Sequence, residues 1–352
     1  MKSLSKQDIR ALSLEELESF FDSIKEKKFK AKQVYNWLWQ KSVFSFTEMT
    51  NVSKTTRLVL ENKFVINNIS IDLQQKSKDG TIKNSVKLHD GLIVESVLIP
   101  SNKRITACVS SQVGCSLDCS FCATSLLKRM RNLNPDEIFD QVVSINKQSN
   151  FYYDRPLTNI VFMGMGEPLM NYKNILLAIK KITEPEGLGI SPKRIILSTS
   201  GIPKMIKKLA DDKVKFGLAI SLHSARQKIR EKIMPFTSNF PLEDLIDSLH
   251  YWYEKTNKLV TYEYVIWKGI NDQKEDIDSL IKFCYKVPSK VNIIKYNSIG
   301  DSRFIQASQS KVSQYKDALE KANITVTIRS SRGEDIDAAC GQLANKIGEF
   351  NS

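Results

Sequence analysis

The stretch Cys115-Ser116-Leu117-Asp118-Cys119-Ser120-Phe121-Cys122 carries three thiols at gaps of four and three residues, shortly after the apolar run Ile105–Val109. Thiolates are soft ligands, and closely spaced ones hold zinc or an iron–sulfur cluster. A structural zinc site closes four ligands, usually as two separated pairs. Here there are three, so a fourth metal position is open or filled from elsewhere. On a four-iron cluster three thiolates would leave one iron free to chelate a small molecule. Cluster, zinc site and purely structural trio are the readings that the spacing leaves open.

From Ile105 onward the chain alternates strand and helix patterns. The expected strands are Ile105–Val109, Asn159–Met163, Arg194–Ser198, Phe216–Ser221, Thr261–Ile266 and Val291–Lys295, with Ile324–Ile328 as a possible seventh. Between them lie helical patterns at Pro135–Lys147, Lys173–Ile182, Pro203–Ala210, Leu242–Tyr253, Lys274–Tyr285 and Lys311–Lys321. Asn134-Pro135-Asp136-Glu137 is a well-formed helix start, with an N-cap Asn, a first-turn Pro and first-turn acids. Repeated β–α units imply a parallel sheet, as a barrel or a doubly wound fold. The polar, glycine-bearing clusters Gly114–Cys122, Gly164–Pro168, Ser198–Gly201, Ser221–Ser224, Asn297–Gly300 and Ser330–Gly333 all follow strands. In a β/α barrel such loops gather on one face, and that face carries the chemistry.

Upstream, Leu4 to about Phe64 reads as a small helical module. Leu14, Leu17, Phe20, Phe21 and Ile24 recur at helical spacing after a start at Ser13. Lys25–Lys32 sets five lysines against one glutamate, and Tyr35, Trp37 and Trp39 follow. Such neighbours suit a nucleic-acid contact face, while an amphipathic helix with core aromatics and solvated lysines is the plainer alternative. Ile69–Leu98 reads as β-structure, with turns at Asp79-Gly80 and Asp90-Gly91. Glu95 lies among Val94, Val97 and Leu98, where an acid ordinarily faces solvent.

The chain has 352 residues, 52 Lys plus Arg against 39 Asp plus Glu, and a formal charge of +13. That balance favours polyanion partners, though basic surfaces also occur without them. No apolar run reaches the roughly 18 residues of a membrane span, and Met1-Lys2-Ser3-Leu4 opens no signal-peptide core, so a cytoplasmic protein is expected. Six cysteines in a chain this long make no disulfide scaffold.

Taken together, the loops resemble those of the radical S-adenosylmethionine (SAM) RNA adenine-C2 methyltransferases, from Leu4 to Leu343. The specific pieces are the three-cysteine spacing, Cys108–Cys115, Gly164-Met165-Gly166-Glu167-Pro168, Leu197–Gly201, Ser221-Leu222-His223-Ser224 and Arg332–Leu343, the last containing Ala338-Ala339-Cys340-Gly341. Related enzymes methylate C8 and tend to carry Ala after the Gly-Glu pair and one Ala before the C-terminal Cys. Pro168 and the Ala338-Ala339 pair favour C2. The resemblance implies an α/β fold: a partial (β/α)6 radical SAM barrel over residues 105–352, an N-terminal RNA-binding helical module over 1–64 and a β-rich connector over 65–104.

The resemblance also implies roles. Cys115, Cys119 and Cys122 would hold one [4Fe–4S] cluster. Gly166 and Glu167 would receive the SAM amino group, and Ser198, Ser221, Leu222, His223 and Asn297 its other parts. Cys340 would carry a methyl group, Cys108 would resolve an RNA adduct, and Glu95 would accept a proton. Adenine C2 is electron-poor, so ordinary methyl transfer, which needs a nucleophile, fails there. In the implied cycle one SAM methylates the Cys340 thiolate and a second, cleaved by an electron from the cluster, generates the radical that activates this methyl for addition to C2. Attack of Cys108 on the Cys340 sulfur then releases the RNA and leaves a Cys108–Cys340 disulfide. The substrates implied are 23S rRNA, free of protein or still assembling, and tRNA. A reductant such as flavodoxin, no membrane partner and a monomeric state complete the expectation. Cys284 matches nothing and reads as a buried small apolar residue.

Two departures from the family pattern stand out: Asn297-Ser298 replaces a common Asn-Pro, and Ser125 and Lys128 stand where many members have glycines. Competing readings are a non-catalytic RNA-binding protein with structural zinc, which leaves Cys340 without a role, and a radical SAM enzyme of other specificity, which leaves the basic module and the Cys108/Cys340 pair idle.

Overall fold

The computed structural model describes residues 6–345. The expected start of the helical module at Leu4 lies outside the described residues. Three helices open the chain: α1 (Leu14–Ser23), α2 (Phe29–Trp39) and α3 (Lys54–Lys63). The first starts where its sequence calls for it. Ser13 Oγ accepts the Glu16 N–H, and the Glu16 carboxylate accepts the Ser13 N–H at 2.7 Å, a reciprocal cap that satisfies two otherwise free donors. Leu17 and Phe21 then face inward.

Three antiparallel strands follow, β1 (Ser70–Lys76), β2 (Ile82–Lys87) and β3 (Ile93–Pro100). They do not stand apart from the repeating region. Val97 of β3 pairs with Cys108 of β4 (Ile105–Cys108), so the three strands extend the barrel sheet at its edge. From β4 the sheet is parallel through β5 (Asn159–Phe162), β6 (Ile195–Thr199), β7 (Gly217–Ser221), β8 (Val260–Val265), β9 (Ser289–Ile294) and β10 (Thr325–Arg329). Strand order in space equals chain order across all ten strands. The helices α4 (Pro135–Tyr153), α5 (Tyr172–Thr183), α6 (Pro203–Asp211), α7 (Gln227–Ile233), α8 (Leu242–Thr256), α9 (Lys274–Lys286) and α10 (Gln309–Lys321) lie between successive parallel strands. This is the expected run of six β–α units, ended by the strand that the pattern offered as a possible seventh. The short α7 was not anticipated.

The helical module is packed on α4 through a buried cation. Arg10 donates to both Asp140 oxygens at 2.9 Å and to Asp136 at 3.2 Å. Trp39 meets Phe139 edge-on at 5.2 Å. Trp39 is buried, and Tyr35 and Trp37 are partly buried against the same core, which supports the plainer reading of the aromatics. Among the described residues no helix is long and apolar enough to cross a membrane.

Candidate active site

The loops after the parallel strands surround a cleft of about 1080 Å³ that opens to solvent. It is lined by Cys115, Cys119, Cys122, Gly166, Glu167, Ser198, Ser221, His223, Asn297 and Cys340. Ten of the thirteen expected site residues therefore meet there. Leu222 is wholly buried and does not line the cleft. Cys108 lines a smaller adjoining cavity, shared with Cys340 and Asn297. Glu95 lines neither cavity.

The three-cysteine loop is fixed by backbone contacts. Gly114, at φ +71°, opens it; a Cβ there would lie 2.5 Å from the Lys128 carbonyl oxygen, so only glycine fits. The Ser125 hydroxyl lies within reach of the carbonyls of Cys119 and Cys122, at 2.6 and 2.7 Å, and shares its one proton between them, so the loop is tied in a way that a glycine at 125 would forgo. Burial raises all three thiols, Cys115 to about 11 and Cys119 well above its ordinary value, and neighbouring cysteines push Cys115 and Cys119 further up. Three thiolates in this wall therefore call for a strongly cationic occupant. The loop supplies three thiolates, one fewer than a closed zinc site takes. A zinc ion needs every sulfur at ~2.3 Å, whereas a cluster takes each thiolate on a different iron. The donor set fits the cluster better than zinc.

Across the cleft, Glu167 is buried. Its carboxylate accepts the N–H groups of Ser200 and Leu169 at 2.8 and 3.0 Å. Burial pushes its carboxyl up, and those donors oppose the shift. A desolvated carboxylate with directed donors is a receptor for an ammonium group. Gly166, at φ +90°, lets the loop fold over Gln112, whose Cβ a side chain at 166 would strike.

His223 adopts φ +55°, unusual for a residue with a side chain. Its Nδ1 accepts the Val265 N–H at 3.2 Å, and Phe121 of the cysteine loop stacks edge-on against the ring at 4.8 Å. Burial, aided by Arg230, holds its pKa down at about 3, so the ring is neutral. Arg230 itself was not foreseen. Buried beneath the cleft, it donates to the carbonyls of Ser221 (2.9 Å), Leu222 and Ser200 (2.6 Å), joining the loops after β6 and β7. Its only sequence signal is a lone Arg in a basic helix, which reads as surface.

Cys340 is exposed, and its loop is anchored on two sides. Toward the cysteine loop, Ala123 N–H donates to Gly341 O, and the Thr124 hydroxyl to Leu343 O, both at 2.7 Å. Toward the β1–β2 turn, Asp335 accepts the Ser77 hydroxyl at 2.5 Å and the Lys78 N–H at 3.1 Å. Asn297 Nδ2 donates to the Cys340 carbonyl at 3.3 Å.

Two expectations need correction. Glu95 does not face solvent. It is fully buried, 3.5 Å from the Lys83 ammonium, with Oε2 accepting the N–H groups of Ala344 and Asn345 at 2.8 and 3.2 Å. The segment after Cys340 covers the Glu95 carboxylate. The Cys108–Cys340 disulfide is also absent: all six cysteines are free, Cys108 buried and Cys340 exposed. Cys284 is buried as expected.

Residues 7–66 match the family model described as the ribosomal RNA large subunit methyltransferase N-terminal domain, and residues 109–284 match the radical SAM superfamily. A Christiangramia forsetii protein named "Probable dual-specificity RNA methyltransferase RlmN" is 64% identical over 341 residues, 97% of each chain. The "Dual-specificity RNA methyltransferase RlmN" of Geotalea uraniireducens is 39% identical over 98% of each chain. A crystal structure of a radical SAM methyltransferase from Sphaerobacter thermophilus superposes with a TM-score of 0.90 at 33% identity, covering 96% of this chain and 99% of that one.

Proposed function

The chain belongs to the RlmN family of dual-specificity RNA methyltransferases, within the radical SAM superfamily, and we propose that it methylates C2 of an adenosine in 23S rRNA and in tRNA through a methyl group carried on Cys340. The family implies a [4Fe–4S] cluster and SAM. We assign one cluster to Cys115, Cys119 and Cys122, and two SAM molecules to each turnover; bound there, they supply the methyl group and the one-electron chemistry.

The chain's own residues do the rest. Glu167 receives the ammonium of SAM, while Ser198, Ser221, His223 and Asn297 surround the remainder of the cleft, and Leu222 contributes through backbone alone. Cys340 takes the methyl as a thioether and becomes joined through that carbon to adenine C2. Glu95 accepts the C2 proton once the Ala344–Asn345 segment moves off its carboxylate. Cys108 attacks the Cys340 sulfur and frees the methylated RNA, so the disulfide belongs to the end of turnover and the free thiols to the resting state. Exposed lysines of the N-terminal module, residues 1–64, contact phosphate. Residues 65–104 hold the Cys340 loop and Glu95 against the barrel of residues 105–352. We further assign a one-electron donor such as flavodoxin, a monomeric state and a cytoplasmic location.

The observation that carries this reading is the exposed Cys340 thiol, whose loop is held to the cysteine loop by the Ala123 N–H and the Thr124 hydroxyl, in the cleft that also holds Glu167. The test is nucleoside mass spectrometry of rRNA and tRNA incubated with the reconstituted protein, SAM and a reductant. The reading predicts 2-methyladenosine in both RNAs; 8-methyladenosine, or no methylated adenosine, would contradict it.

A further inference from the structure

Curling of the parallel sheet brings its last strand, β10, across from β4 and β5. Arg329, the final residue of β10, reaches over this gap until Nη1 lies 3.7 Å from the Met163 sulfur, just beyond β5. The side chain is half-buried and lines the small cavity that also holds Cys108 and Cys340. A guanidinium partly removed from water and pointed at a thioether is poorly satisfied by that contact, since sulfur is a weak acceptor. Its field falls on Cys340 first, then on Glu263 of β8, then on Cys108. Glu263 is itself buried, with Oε2 unpartnered and Oε1 held by Asn292 at 3.0 Å.

We propose that Arg329 is a positioning residue for the step that releases the RNA: its guanidinium, beside Cys108 and Cys340, holds the Cys108 thiolate next to the Cys340 sulfur. This rests on the roles given to the two cysteines above. In that step a bond forms between the two sulfurs and the Cys340 Sγ–CH2 bond breaks. The electron pair goes to the methylene carbon, which takes a proton from water and becomes methyl; the Cys108 thiolate and the Cys340 thioether sulfur are oxidised to a disulfide as the carbon is reduced.

The attacking species has to be a thiolate. Burial is the main cause that pushes the Cys108 thiol of the free protein up to about 12; the smaller push from Cys340 vanishes once that sulfur is a thioether. Arg329 is the cation that opposes it, assisted by a backbone hydrogen bond at Met163. Of the other charges nearby, Glu263 on β8 acts on Arg329 itself, Arg332, which lines the same cavity, lies 3.9 Å from Asp79, and Glu95 on β3 is tied to Lys83 and to the Ala344 and Asn345 amides. Arg329 thus meets a need that the burial of Cys108 creates.

The experiment follows adduct decay on denaturing gels in single-turnover reactions of the reconstituted full chain with RNA, from pH 6.5 to 9. Cys108→Ala in the same series traps the adduct. Arg329→Met is expected to methylate Cys340 and form the adduct, but to clear it roughly tenfold more slowly or worse at neutral pH, with the rise in rate displaced to higher pH. Arg329→Lys, which keeps the charge, restores most of the rate. Adduct clearance in Arg329→Met at the wild-type rate and pH profile would overturn the inference alone. So would loss of Cys340 methylation or of RNA affinity in both Arg329 variants, which would place Arg329 in binding or folding. Absence of an adduct in Cys108→Ala would overturn the reading of the cysteines, and this inference with it.

Discussion

Glu95 accepts the backbone N–H of Ala344 at 2.8 Å, closing the segment that follows Cys340 over the one buried acid on β3. The contact binds the proposed proton acceptor and the loop of the proposed methyl carrier into a single unit with Lys83, which also reaches the Asp337 carbonyl at 3.4 Å. In Glu95→Gln the side-chain oxygen can still accept these amides, so the fold should persist. Methylation of Cys340 should continue, while methylated RNA falls by about 10²-fold or more, the usual share of a general base. The amides of Ala344 and Asn345 should exchange faster when RNA is bound. A Glu95→Gln protein that forms product at the normal rate would remove Glu95 from the reaction.

Loss of one of the three proposed cysteine ligands should abolish the proposed metal centre. Anaerobically reconstituted protein is expected to hold iron and sulfide in the ratio of one cluster per chain, and Cys119→Ala to lose them. Full iron in that variant would mean that the centre is elsewhere.

The basic patch divides into free and paired charges. Lys25, Lys27, Lys28 and Lys32 are exposed, whereas Lys30 pairs with Glu26 at 2.7 Å. Neutralising the four should weaken RNA binding and flatten its dependence on salt, by up to about 0.7–0.9 in log–log slope for each phosphate that is no longer neutralised. Neutralising Lys30 alone should change little, and SAM cleavage without RNA should be untouched. Unchanged affinity and slope would leave these lysines as a solvated face.

His223 gives the folded state an acid limit. Its folded pKa of about 3 lies below the ordinary 6.5, so the unfolded chain takes up a proton that the native state refuses. The stabilising contribution is complete above pH 6.5 and is lost as pH falls toward 3, at about 1.4 kcal/mol per pH unit, or roughly 2 kcal/mol by pH 5. Asn tolerates the same positive φ, so His223→Asn should flatten the dependence of unfolding free energy on pH between 6.5 and 5. An unaltered slope in denaturant titrations would show that another group sets it.

The repeating units were legible because buried parallel strands read as short apolar runs and the chemistry sits in the loops after them. Ile105–Cys108 and Asn159–Phe162 end within a residue of their expected limits. That the three-cysteine loop and Gly166-Glu167 share one face was legible for the same reason, since each is local in sequence. The burial of Glu95 was missed because alternation along a strand cannot reveal that a segment some 250 residues later covers its carboxylate. Arg230 and Arg329 escaped notice because their meaning lies in what they approach across the barrel. The continuity of β1–β3 with the barrel sheet depends on the pairing of Val97 with Cys108, which no local pattern encodes.

The central claim is that Cys340 carries carbon to RNA and Cys108 ends the attachment, and the two single variants test it by failing differently. Each is incubated with SAM, reductant and RNA, then resolved on a denaturing gel with and without nuclease. Cys108→Ala is predicted to give a nuclease-sensitive covalent protein–RNA species, and Cys340→Ala neither a methylated cysteine nor an adduct. Normal methylated product from Cys108→Ala, with no trapped species, would contradict the account.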